Sequence, residues 1–211
     1  MMPQPFALTQ PRQQAFDDAL NLLAEEGRLG VSLPFFSPDE ITLLMRQATR
    51  LPMRKARAEV GAPGREVSQD FDICFPAPRE DALDHLAVLL EDAVANAAMP
   101  VGVSGFRLND AAVQHYHKGS GGIGIHRDAL RYQGLVFIIT LAGESRFCLC
   151  DDREGNGASV LDDSPGRLTI LSAPGFNGRE GEAARPLHFV DQVEGGRLSI
   201  GLRHDIKLQD E

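Results

Sequence analysis

The sequence predicts an α+β, mainly β fold: helices in the first hundred residues, then an antiparallel sandwich or barrel. Three observations carry this. Apolar residues recur at helical spacing at three places before residue 100. From about residue 103, short segments rich in Val, Ile, Leu and Phe alternate with Gly, Asp, Asn and Pro. The chain also has 211 residues and 43% hydrophobic content, enough to bury one sizeable core. No repeat or low-complexity linker interrupts it, so one domain over 1–211 is expected, helical over about 1–100 and β over about 101–205.

The first helix is expected over residues 11–26, with Phe16, Leu20, Leu22 and Leu23 as its apolar positions. Thr9 or Gln10 precedes a proline in the first turn, and Gly27 follows the last. Ser37-Pro-Asp-Glu40 has the form of a capping box and opens a second helix from Ile41 to Ala48. A third spans 79–98, with Leu83, Leu86, Leu89, Leu90 and Val94 in one stripe and Pro100 as its stop. Strands are expected at 105–108, 112–117, 135–141, 146–150, 167–171, 187–190 and 197–202, with further candidates at 54–60 and 70–75. So many short strands separated by turn residues argue for antiparallel layers. Residues 153–158 and 174–184 read as long loops.

Charge and cysteine usage narrow the function classes. The formal net charge is −9, which repels nucleic acid and anionic membranes on approach, so neither is an expected partner. No basic segment followed by a long apolar run opens the chain, and the longest apolar stretch, 135–142, is too short to span a bilayer. Cys74, Cys148 and Cys150 are an odd number, read as reduced thiols in a cytoplasm. Cys148-Leu-Cys150 could suggest a soft-metal site, but its apolar setting reads as plain strand.

The chemistry-bearing segment is Gly121-Gly-Ile-Gly-Ile-His126-Arg-Asp128. Two residues apart on an extended strand, His126 and Asp128 point to the same face and can reach one ion. On its own such a pair also fits a surface histidine beside a loop aspartate. His188, opening a late apolar strand, is the best third ligand. Two histidines and one carboxylate leave three octahedral positions open, an arrangement used by non-haem Fe(II) oxygenases. Nine residues after His188 comes Arg197-Leu-Ser199 in an alternating strand that also carries Arg203 on the same face. A guanidinium beside a hydroxyl suits a carboxylate. With Leu198, Ile200 and Leu202 on the buried side, Arg197, Ser199 and Arg203 line either solvent or a polar cavity.

The order His-x-Asp, distal His, Arg-x-Ser resembles the Fe(II)/2-oxoglutarate-dependent dioxygenase superfamily, in an AlkB-like or prolyl-hydroxylase-like branch. Arg197-x-Ser199-x-x-x-Arg203 is similar to the AlkB-type pattern, with Ser where that pattern has Asn. Gln114-x-Tyr116 resembles its Asn-x-Tyr element, with Gln replacing Asn. The resemblance covers about 103–205. It implies a double-stranded β-helix (jelly-roll) core with the N-terminal helices packed against it, and Fe(II) on His126, Asp128 and His188. It implies 2-oxoglutarate as co-substrate, its far carboxylate on Arg197 and Ser199, with Tyr116 as a further donor and Arg203 as a neighbour. Dioxygen and an organic substrate, a small molecule or an amino-acid side chain, complete the reaction, which releases succinate and carbon dioxide. Substrate choice is expected from the N-terminal half, around Met53 and residues 67–72. Two other functions share these residues: an AlkB-like oxidative demethylase of nucleic acid, and a non-catalytic β-helix protein that binds iron or a keto acid.

Other signals carry less. His115 and His117 could serve a cupin, but no glutamate follows and, if Tyr116 faces the pocket, they face away. His126-Arg-Asp128 matches a kinase tripeptide without the rest of that set. Glycines 119–124 lead into a strand, so they lack the helix N-terminus of a phosphate cradle. Arg50, Arg54, Lys55 and Arg57 form a basic cluster, explained by a solvated helix end and edge strand or by a grip on an anion.

Overall fold

The computed structural model describes residues 6–208. Helix α1 (Gln10–Ala24) starts where Thr9 accepts a hydrogen bond from the Arg12 amide at 3.4 Å, so Thr9 is the cap. Strand β1 (Gly30–Pro34) follows, then α2 (Pro38–Ala48). The capping box forms in full: Ser37 Oγ accepts from the Glu40 amide at 3.3 Å, and Glu40 accepts from the Ser37 amide at 2.8 Å. Glu40 also takes two bonds from Arg12, at 3.0 and 2.7 Å, which tie α1 to the start of α2. Four short strands come next: β2 (Arg54–Lys55), β3 (Glu59–Val60), β4 (Val67–Asp70) and β5 (Asp72–Cys74). Helix α3 (Asp81–Ala95) buries Leu83, Leu86, Leu89 and Leu90, each contributing roughly 2 kcal/mol. The first hundred residues, expected to be helical, thus also carry five strands.

The rest is β6 (Asp110–Tyr116), β7 (Gly122–His126), β8 (Tyr132–Cys150), β9 (Ser159–Leu161), β10 (Arg167–Ser172) and β11 (Leu187–Asp205). Every pairing is antiparallel, in the order β1-β10-β8-β11-β6-β5-β2, with β7 joining β11 to β4. The expected strand at 105–108 does not form. There the Leu108 amide donates to Glu91 at 2.7 Å and the Arg107 amide to His204 at 3.1 Å, so side chains replace a ladder. Two short 3₁₀ turns, Phe176–Gly178 and Gly181–Ala184, occupy the expected loop at 174–184.

The two expected pairs of strands at 135–150 and 187–202 are single 19-residue strands, β8 and β11, that bend together. Between the pairs Asp191↔Arg146 and Gly196↔Glu144, β11 spends four residues against one on β8. Gly143 (φ +104) and Gly196 (φ +76) sit at this corner, and a Cβ on Gly143 would meet the Gly196 carbonyl oxygen at 2.1 Å. The corner folds the sheet over on itself and gives two cores. One lies between the helices and the sheet and holds Leu198, Ile200 and Leu202. The other, inside the fold, holds Phe71, Tyr116, Ile123, Phe147 and Val190. This is the jelly-roll arrangement with helices against one face. Among the described residues, no helix is long and apolar enough to cross a membrane.

Candidate metal centre

Strand β7 ends on His126, which pairs directly opposite His188 on β11, and their ring centroids lie 4.2 Å apart. Gly122 makes that approach possible. It has φ +78, and a Cβ there would lie 1.9 Å from the Val190 carbonyl oxygen. Asp128 lies two residues past the strand end rather than on the strand as expected. Arg185 donates to its backbone carbonyl, and Arg127 Nε donates to the Arg185 carbonyl at 3.1 Å, fixing the segment. One ligand atom from each of His126, Asp128 and His188 lies within 4.8 Å of the other two. Three such atoms can share one ion.

Their protonation suits a cation. The Nδ1 of His126 lies 2.8 Å from the Gly124 carbonyl oxygen and that of His188 lies 3.2 Å from the Pro186 oxygen. A carbonyl only accepts, so both Nδ1 atoms carry hydrogen and both Nε2 lone pairs are free. Burial, then the neighbouring His188, pushes His126 down to about 4, and burial lowers His188 as well. Burial opposes the charge on Asp128, but Arg203 and the two histidines outweigh it and hold its carboxyl below the usual range. At neutral pH the three groups are two neutral imidazoles and a carboxylate.

The triad opens on an inner cavity of about 40 Å³, which Gln114, Tyr116, Arg197 and Arg203 also line. Arg197 Nη1 donates to Thr140 Oγ1 at 2.7 Å and also pairs with Asp163, while its buried Nε has no partner. Arg203 Nη1 lies 2.9 Å from Asp110, and its Nε, 3.8 Å from Asp128, is likewise buried without a hydrogen-bond partner. Two orphaned donors beside one small cavity fit an anionic group that accepts from both. Tyr116 packs on Phe71 at 4.7 Å and donates to Gln114 at 3.4 Å; burial raises its phenol, which stays a neutral donor.

Ser199 shares the face of Arg197 and is buried, but it does not line the cavity. The hydroxyl that meets Arg197 belongs to Thr140, opposite Ser199 on β8. Asp163, Thr140 and Asp110 were not identified from the sequence. Asp163 sits in Asp162-Asp163-Ser164-Pro165, which reads as an ordinary turn, so no local signal marks it. His115 and His117 are exposed on the other face, with His117 Nε2 2.7 Å from Asp72. Cys74 and Cys148 are buried free thiols, and burial raises both.

Neither a protein-family model nor a curated protein matches the sequence. Solved structures do match. A prolyl-4-hydroxylase from Pseudomonas putida superposes over 90% of this chain and 98% of its own, with TM-score 0.64 and 15% identity. A Trichoplax adhaerens prolyl hydroxylase, solved with a hypoxia-inducible-factor oxygen degradation domain peptide fragment, covers 97% of this chain and 96% of its own (TM-score 0.64, 14% identity). An oxidoreductase of the 2OG-Fe(II) oxygenase family from Burkholderia pseudomallei covers 95% and 93% (TM-score 0.58, 16% identity). The chain therefore has the jelly-roll fold of the 2-oxoglutarate- and Fe(II)-dependent oxygenases.

Proposed function

We propose that this protein is an Fe(II)- and 2-oxoglutarate-dependent dioxygenase that hydroxylates an organic substrate. The observation that carries the reading is the buried two-histidine, one-carboxylate cluster facing a cavity with two unpartnered arginine donors. In the balanced reaction one oxygen atom of dioxygen enters a substrate C–H bond. The other enters the succinate formed as 2-oxoglutarate loses carbon dioxide.

His126, Asp128 and His188 would hold the metal through two imidazole Nε2 atoms and one carboxylate oxygen. Fe(II) held there would supply the activation of dioxygen. Arg197 Nε and the Tyr116 hydroxyl receive the far carboxylate of the co-substrate, while Asp163 and Thr140 orient Arg197. Arg203 keeps Asp128 ionised. Ile123, Phe147 and Val190 form apolar walls that keep water from the reacting centre.

Anaerobic titration with Fe(II) and then 2-oxoglutarate, followed by the visible metal-to-ligand charge-transfer band, tests the assignment. Succinate should then accumulate in air. His126→Ala should lose iron and the band together, whereas Arg197→Met should keep iron and weaken 2-oxoglutarate by about tenfold or more. Parent-like behaviour of both variants would overturn the site.

A further inference from the structure

We infer that the substrate of this centre is a small organic anion, bound with its apolar portion toward the metal and its charged end at Arg57 and Arg153. The inference rests on the oxygenase reading for the word substrate, and on the outer cleft for everything else. That cleft, about 870 Å³, has His126 and Asp128 in its wall, so whatever fills it meets the metal.

The cleft is cationic in a protein of net charge −9. Arg57, Arg65, Arg127, Arg131, Arg153 and Arg203 line it. Four carboxylates answer them. Glu182 lies 3.2 Å from Arg65 and 3.7 Å from Arg127, Asp205 lies 2.6 Å from Arg131, and Asp110 and Asp128 lie 2.9 and 3.8 Å from Arg203. Among the described residues, Arg57 and Arg153 have no carboxylate within 4.0 Å. Two positive charges are therefore in surplus. Loading the centre does not remove them, because Fe(II) and the 2-oxoglutarate dianion cancel each other.

The rest of the wall is apolar. Val67, Phe71 and Ile73 line it, and Phe75 is left 37% exposed beside them. A purely ionic ligand would leave this surface wet, whereas an amphipathic one covers it and neutralises the arginines together. The cleft volume lies within the range of small-molecule sites, roughly 300–1,000 Å³. A polyanion running beyond the cleft would cross Glu59, Glu66 and Glu154, exposed residues within two positions of Arg57, Arg65 and Arg153. The arrangement favours one short anion over a nucleic-acid strand.

The test uses the whole chain with saturating 2-oxoglutarate and Mn(II), and three soluble probes with the same five-carbon tail: hexanoate, pentyl phosphate and neutral hexanamide. Ligand-observed NMR should show at least one anion binding about tenfold tighter than hexanamide, the worth of one charge-assisted hydrogen bond. Which anion wins distinguishes a carboxylate from a phosphate ester. Mn(II) should broaden the terminal methyl more than the protons beside the head group. The combined Arg57→Ala, Arg153→Ala variant should erase the preference while melting like the parent, since both side chains are exposed. Equal binding of hexanamide, a preference that survives the double variant, or no binding of either anion would overturn the inference. So would displacement of the anions by single-stranded oligonucleotide with steep salt dependence, which would point to nucleic acid. Loss of the charge-transfer band with the anion preference intact would refute the oxygenase reading alone and leave the anion site standing.

Discussion

Asp163→Asn removes the charge facing Arg197 in a pair whose side chains are only 2% and 8% exposed. Asparagine keeps an acceptor for Thr140 and Arg197, so the loss is that of compensation rather than of shape. Leaving one member of a buried pair uncompensated costs about 3–5 kcal/mol, and the retained acceptor places this variant near the lower end. For a chain of this length about 3 kcal/mol lowers the melting temperature by roughly 6–12 °C. The assay is thermal unfolding with and without 2-oxoglutarate under anaerobic Fe(II). The co-substrate brings a carboxylate to the same guanidinium, so it should stabilise the variant more than the parent. In the cycle Asp163→Leu with Arg197→Met, the double variant should recover stability relative to either single one. A drop in melting temperature of less than about 2 °C, or equal protection of parent and variant by 2-oxoglutarate, would refute the reasoning.

Metal affinity should respond late to acid. His126 is held down to about 4, so Mn(II) binding should stay level from neutral pH to about 5 and fall below that, and a decline that begins near the ordinary histidine value of about 6.5 would contradict the buried, neutral site. For Glu40, burial raises the carboxyl but Arg12 and the Ser37 amide outweigh it, leaving it below the usual range. Its stabilisation is therefore present above the ordinary value near 4.3 and lost as pH falls through the lowered folded value, so Glu40→Gln should cost about 1–2 kcal/mol at pH 7 and flatten the acid limb of a stability titration. Gly122→Ala should weaken both metal binding and folding, because the Val190 carbonyl already occupies the space of the new methyl. An unchanged melting temperature and Mn(II) affinity would show that β7 can move away without disturbing His126.

What could be read from the sequence followed from local rules. Alternation placed Gln114 and Tyr116 on one face and His115 and His117 on the other, and it separated Arg197 from Leu198. The capping box at Ser37 and Glu40 is a four-residue statement that the structure repeats. What could not be read depends on approach in space. Asp163 is defined by Arg197, 34 positions away, and nothing nearby in sequence requires a buried carboxylate there. The cleft arginines come from five separate segments, and only Arg57 belongs to a cluster visible in the sequence. Residues 105–108 failed as a strand because side chains from α3 and β11 satisfied their amides first.

The glycine corner of β8 and β11 bears on how this site can be recognised in other chains. Nine residues of straight strand would separate His188 from Arg197 by about 30 Å, yet both line one small cavity. They meet because the strand turns back at residues 192–195, outside the paired register. Each leg is held in phase by its own neighbours, β7 for His188 and β6 for Arg197. Lengthening the turn would therefore rotate neither side chain out of the cavity. The interval between the distal histidine and the arginine records only how much chain the turn consumes. A search that fixes that interval discards relatives with longer turns, whereas one that fixes the face and order of residues within each leg retains them.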